Sequence, residues 1–133
     1  MKALLFAAAC AAILLATIAF LIPAHAVENW ERLGTRTVDL ARDVDTITVG
    51  RSEGRFTAIM FEVDGEMVEM RNVRVIFGDG QAFSPSTQLI LDDQERSRAI
   101  DLPGPGRIIR SVTFNYKSPH TAQGHATITL YGR

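Results

Sequence analysis

From residue 27 onward the chain carries no helical period; its apolar residues alternate with polar ones in short runs, and Gly, Pro, Asp and Asn separate the runs. A period of two points successive side chains to opposite faces of an extended strand. A strand with one apolar face must bury that face against another sheet, so this pattern restricts the chain to an all-β architecture. Eight stretches read this way: Val38–Leu40, Ile47–Val49, Phe56–Val63, Val68–Phe77, Gln88–Leu91, Arg98–Leu102, Ile108–Tyr116 and His125–Tyr131. The expected fold is an eight-stranded antiparallel β-sandwich of jelly-roll-like form, built as one domain over residues 27–133 and preceded by a signal helix.

Two stretches depart from simple alternation. Phe56, Ala58 and Met60 share one face and Ile59, Phe61 and Val63 the other, which predicts either a central strand covered on both sides or one with a local twist. Val68 and Met70 have one parity, whereas Val73, Val75 and Phe77 have the other. One extra residue at Arg71-Asn72 restores the inward face, so a β-bulge is expected there. Asp64-Gly65 reads as a hairpin turn and Gly78-Asp79-Gly80 as a second turn.

A short internal repeat is also present. Ile47-x-Val49 with Gly54-Arg55-Phe56 matches Ile100-x-Leu102 with Gly106-Arg107-Ile108, and a long strand follows each. The closing strands then end in Gly78 and Gly132. Two four-stranded halves facing each other would account for it.

The first 26 residues follow a different rule. Lys2 precedes a run without charge over residues 3–22, then Pro23 and Ala24-His25-Ala26. A positive start, an apolar run and an Ala-x-Ala site describe a secretory signal peptide, residues 1–26. Residues 3–22 are also long enough to anchor the chain in the inner membrane if the segment is retained. Either way the folded part is expected outside the cytoplasm, periplasmic or secreted. The single Cys, Cys10, falls in that run, so the folded part holds no disulfide.

Over residues 27–133 there are twelve Arg and one Lys against 15 Asp plus Glu, a net charge of −2. A mildly acidic chain supplies no field to displace phosphate counterions, so nucleic acid is not expected as a partner. The bias to Arg over Lys suits planar, bidentate recognition of carboxylate or phosphate groups. Arg96 and Arg98, Arg107 and Arg110, and Arg71 and Arg74 are the binding candidates. Surface pairing with the interleaved acids is the structural alternative, since each exposed pair contributes only about 0–1 kcal/mol and requires no function. Trp30 offers either a stacking platform for a sugar or a lid over the end of the core. Asp101, pointing outward, and Arg98, near the rim, set a buried Arg–Asp pair against a plain strand terminus at Pro103-Gly104.

Catalytic and metal constellations are thin. Asp43, Asp45, Asp79, Asp92 and Asp93 are loop carboxylates without the dense spacing of a calcium loop. His120 and His125 fall short of the three or four ligands zinc requires. Ser84, Ser86 and Ser97 lack a nucleophile elbow. No cofactor, metal site or catalytic residue is therefore assigned.

The frame Trp30-x-x-Leu33-Gly34-x-Arg36, Asp45-x-Ile47-x-Val49-Gly50, Gly54-Arg55-Phe56, Val75-x-Phe77-Gly78-x-Gly80, Ser97-Arg98-x-Ile100-Asp101-Leu102-Pro103-Gly104 with Arg107, and Tyr131-Gly132-Arg133 spans the folded part. In it the chain resembles small exported proteobacterial proteins of the family catalogued as domain of unknown function 2541. That resemblance implies a secreted or periplasmic β-rich domain and transfers no substrate or catalytic residue. The expectation is a non-enzymatic cell-envelope module that binds a glycan or an envelope protein, in an oligomeric state the sequence leaves open. The alternative is a small metal-dependent hydrolase using His120, His125 and loop carboxylates.

Overall fold

The computed structural model describes residues 29–133. The expected signal segment, its helix and the apolar stretch 3–22 lie outside the described residues. Within them, no helix is long and apolar enough to cross a membrane.

Ten strands form: β1 (Glu31–Asp39), β2 (Val44–Thr48), β3 (Arg55–Phe56), β4 (Ala58–Gly65), β5 (Val68–Phe77), β6 (Ala82–Phe83), β7 (Gln88–Leu91), β8 (Ile100–Asp101), β9 (Arg107–Lys117) and β10 (His125–Gly132). They build two antiparallel sheets. One runs β1-β10-β4-β8 and the other β2-β9-β5-β6, with β3 also on β9 and β7 also on β5. Their inner faces share one core. Val38, Ile59, Phe61, Val63, Ile128 and Leu130 come from the first sheet; Ile47, Val68, Met70, Val73, Val75, Val112 and Phe114 come from the second. Phe61 and Phe114 meet edge to face across it, with centroids 5.9 Å apart. At one side the edge strands β1 and β2 are tied by an ion pair, Arg36 Nε to Asp45 Oδ1 at 2.7 Å.

The strand count exceeds the expected eight for two local reasons. The run Phe56–Val63 divides at Thr57, where the chain passes from one sheet to the other: β3 pairs with β9, β4 with β10 and β8. The amides of Thr57 and Ala58 both donate to Arg133 O, at 2.7 and 3.1 Å, and hold this crossing. The turn at Gly78–Gly80 adds β6 as a short return strand. The run Arg98–Leu102 keeps regular pairing only at Ile100 and Asp101. Before it, the chain follows β4 through irregular bonds, including Ser97 N to Phe61 O at 2.7 Å and a bridge between Glu62 and Arg96. Both faces of β4 are buried, as its sequence predicts.

Asp64-Gly65 is not a hairpin turn, because β4 and β5 belong to different sheets. Gly65, with φ 113°, starts a connection that carries the chain across the core. The bulge at Arg71-Asn72 is present. Arg71 pairs with Asn115 and Arg74 with Thr113, so β5 holds one residue more than β9 across this interval. Asn72 takes a left-handed φ of 51° there.

The internal repeat has a structural counterpart, but not as two facing halves. Strands β1, β2, β4 and β5 correspond in chain order to β7, β8, β9 and β10. Exchanging the two sets turns β1-β10-β4-β8 into β7-β5-β9-β2, which is the pairing of the other sheet. Each half therefore supplies two strands to each sheet, and the halves interleave. Local contacts obey the same exchange. Gly78 lies against Ile108 and Gly132 against Phe56; a Cβ at either glycine would come within 3.0 Å and 2.7 Å of those side chains. Val49 N donates to Arg110 O at 2.9 Å, and Leu102 N to Thr57 O at 2.8 Å.

Candidate functional site

Three arginines come together where the two repeat motifs meet. A 3-10 turn, Arg51–Glu53, follows β2, and Gly54, at φ 100°, redirects the chain into β3. There Arg55 pairs with Ile108 and Phe56 with Arg107. Gly78 at the end of β5 donates its amide to Ile108 O at 2.8 Å. Arg51, Arg55 and Arg107 thereby line one open cleft of ≈ 380 Å³, with Phe77 and Asp79 on its walls. Three arginines and one acidic residue, Asp79, are thus among the lining residues.

Arg107 is held in place. Its guanidinium lies 3.9 Å from the centroid of the Phe77 ring. Its Nη2 donates to Gln81 Oε1 at 2.8 Å and approaches Asp79 Oδ2 at 3.4 Å, leaving the side chain 20% exposed. Arg55 Nη1 donates to Gly106 O at 3.3 Å. Arg110, at the same end of β9, donates to Gly78 O at 3.2 Å. Such forks match the geometry of carboxylate and phosphate oxygens.

A second depression, ≈ 240 Å³, opens beside the β5 bulge and is lined by Glu69, Arg71, Asn72, Asn115 and Lys117, with Asp43 at its margin. Glu69 is the one buried charged residue among the described residues. Its Oε1 accepts from both Arg71 Nε at 3.0 Å and Gln88 Nε2 at 3.1 Å, and Lys117 Nζ stands 3.6 Å from Oε2. The Arg71 hydrogen bond, with further donors and charge behind it, holds the Glu69 carboxyl below the ordinary value despite burial.

The third cluster is on the outer face of the four-stranded sheet. Arg96 Nε donates to Glu62 Oε2 at 2.9 Å, and Tyr131 Oη donates to Glu62 Oε1 at 3.1 Å. Arg96 also lies 5.0 Å from the Tyr131 ring centroid. Burial and then the Glu62 bond push the Tyr131 hydroxyl pKa up; the same carboxylate raises that of Arg96. These groups satisfy one another. Trp30 is half-buried with Arg133 4.5 Å from its ring centroid, so it packs at the end of the sheet.

The six arginines singled out by sequence therefore do not converge. Arg107 and Arg110 stand at the cleft end, Arg71 at the bulge, and Arg96 over Glu62. Arg74 and Arg98 are exposed. Arg98 and Asp101 form no buried pair, since both face solvent. Arg51 and Arg55 were not among the candidates, although the repeat places Arg55 at the position equivalent to Arg107. His120 sits in the loop before β10, and His125 begins that strand opposite Asp39. Among the described residues no three His, Cys, Asp or Glu side chains gather to hold a metal. Ser97 has a structural role: its Oγ accepts from Phe61 N at 2.9 Å and donates to Arg98 O at 2.8 Å.

A family model described as Domain of unknown function (DUF2541) matches residues 9–132. No curated protein and no solved structure matches the chain.

Proposed function

The chain belongs to the DUF2541 family, and on that premise we propose that it is a non-enzymatic binding module, exported to the periplasm or beyond, for an acidic glycan or similar envelope ligand. The arginine cleft is the site. The observation that carries this reading is that Arg51, Arg55 and Arg107 line one cleft in which Asp79 is the one acidic lining residue. Arg107, pinned by Phe77, Gln81 and Asp79, presents an oriented fork and loses little freedom on binding. The apolar run at residues 3–22 with Ala24-His25-Ala26 supports export, with retention as an inner-membrane anchor the variant form. The strand order supports a jelly roll in which β3 and β6 are short additions. That architecture hosts lectin domains, but the ligand reading rests on the site and not on the fold.

The test is calorimetric titration with oligouronates and with inorganic phosphate at low salt. Each hydrogen bond to a charged group contributes about 1.5–3 kcal/mol, so Arg51→Ala and Arg55→Ala should each weaken binding about tenfold or more. Arg107→Lys, which keeps the charge and loses the fork, should also weaken it, whereas Arg98→Ala should not. Equal affinity across these variants would remove the cleft as the site.

A further inference from the structure

The outer face of the six-stranded sheet carries a second pattern, independent of the arginine cleft. Across β7, β5, β9 and β2 the register aligns Ile90 with Glu69 and Lys117, and, one row on, Gln88 with Arg71, Asn115 and Val44. Val44 and Ile90, 47% and 55% exposed, are the exposed large apolar side chains among the described residues. Val44 pairs with Asn115 and Ile90 with Glu69, so they stand on the strands to either side of these lining residues of the depression. Adjacent strands lie about 4.8 Å apart, so this array spans roughly 14 Å.

The polar groups between them have unused capacity. Glu69 Oε1 takes the donors from Arg71 and Gln88, while Oε2 has only Lys117, at ion-pair distance. Asn commonly tolerates a left-handed backbone because its amide bonds nearby backbone groups. Asn72 adopts that backbone at φ 51°, yet among the described residues its side chain and that of Asn115 beside it have no hydrogen-bond partner. Both amides line the depression. The charges there cancel: Asp43 and Glu69 against Arg71 and Lys117. A balanced site offers no net attraction to an ion. Paired donors and acceptors between two apolar patches match a molecule with hydroxyl groups at its edges and C–H groups on its faces.

We infer that this face binds a short, uncharged oligosaccharide, with Asn72 and Asn115 bonding its hydroxyl groups, Glu69 Oε2 accepting from one, and Val44 and Ile90 packing on its sugar rings. The site is separate from the cleft, since Asn72 lies five residues before Phe77, roughly 16 Å along β5.

The experiment is an NMR titration of the protein with chitotriose, maltotriose and cellotriose, using glucose as the short control. At least one trisaccharide should shift the side-chain amide signals of Asn72 and Asn115 and the backbone signals around them, with glucose binding more weakly. Asn72→Gly removes the side chain while still allowing the left-handed backbone. It should weaken binding about fivefold to tenfold, as the loss of a hydrogen bond implies, and Asn115→Ala should do the same. Arg55→Ala should leave it unchanged. No shift at these residues with any trisaccharide, or unaltered affinity in both Asn variants, overturns the inference. Oligouronate binding lost in Arg55→Ala would in that case still support the cleft, so the two readings fail separately.

Discussion

Glu69 shows how a single side chain on the outer face of a sheet becomes fixed. Arg71, two residues along the same strand, reaches back to it, and Gln88 and Lys117 close in from the strands on either side. With its pKa held below the ordinary 4.5, the carboxylate favours the fold wherever it is ionised. That contribution is complete above the unfolded-state value and is lost as pH falls through the lower folded-state value. In denaturant unfolding, Glu69→Gln should therefore be less stable than the wild type at about pH 7, and the gap should narrow as pH falls below the ordinary 4.5. A stability difference independent of pH would contradict the ionised network. The residue scale was also where sequence said least about the site. Arginines adjacent on a strand point to fixed faces, but which sheet that strand joins is a long-range outcome, so Arg96 and Arg107 could not be placed relative to each other. Arg55 was within reach, because its motif repeats at Arg107.

At the scale of strands, parity carried most of the information. The change from even to odd inward positions along β5 located its bulge correctly. The same signal runs along β9, where Ile109 is followed by Val112, Phe114 and Tyr116, and there the register slips between Ile109 and Ser111. In β1 it separates Leu33 from Val38, with a slip between Arg32 and Gly34. Two-residue strands such as β3 and β6 carry no period and were not legible. Neither was the crossing at Thr57, because burial on both sides looks the same whether a strand is central or changes sheets. The β5 bulge makes an unusual deletion testable. Removing one residue from an interior strand ordinarily turns every later side chain to the wrong face. Deleting Asn72 instead gives Val68, Met70, Val73, Val75 and Phe77 a single parity and removes the extra residue opposite β9. That deletion should preserve cooperative unfolding, while deleting Thr127 from β10, which has no bulge against β4 and so turns Ile128 and Leu130 away from the face kept by Ala126, should abolish it. Circular dichroism with urea titration distinguishes the two outcomes.

On the scale of the molecule, all-β class and two-sheet packing followed from alternation, and the repeat gave the correspondence between the halves. Interleaving was not legible, because a repeat states which strands are alike and not which strands they pair with. It has direct energetic effects. β10 lies between β1 and β4 and contributes Ala126, Ile128 and Leu130 to the core. A chain ending at Gly124 would separate β1 from its sheet and open the core along β4. It should be unfolded in solution, with loss of amide-exchange protection in β2 and β5 as well as in β1 and β4. Retained protection in β2 and β5 would show that the second sheet stands without the first.

The same interleaving sets a schedule for a chain that emerges from one end. Neither half can close on itself, since β4 waits for β8 and β10, and β5 waits for β7 and β9. Everything up to about Tyr116 must leave a ribosome or a translocation channel before the second sheet has its centre, and β10 must follow before the first has its own. Until then the inward Val, Ile and Phe side chains remain exposed to any other chain nearby. A chain of this topology acquires its structure late, once strands from both halves are free to pair.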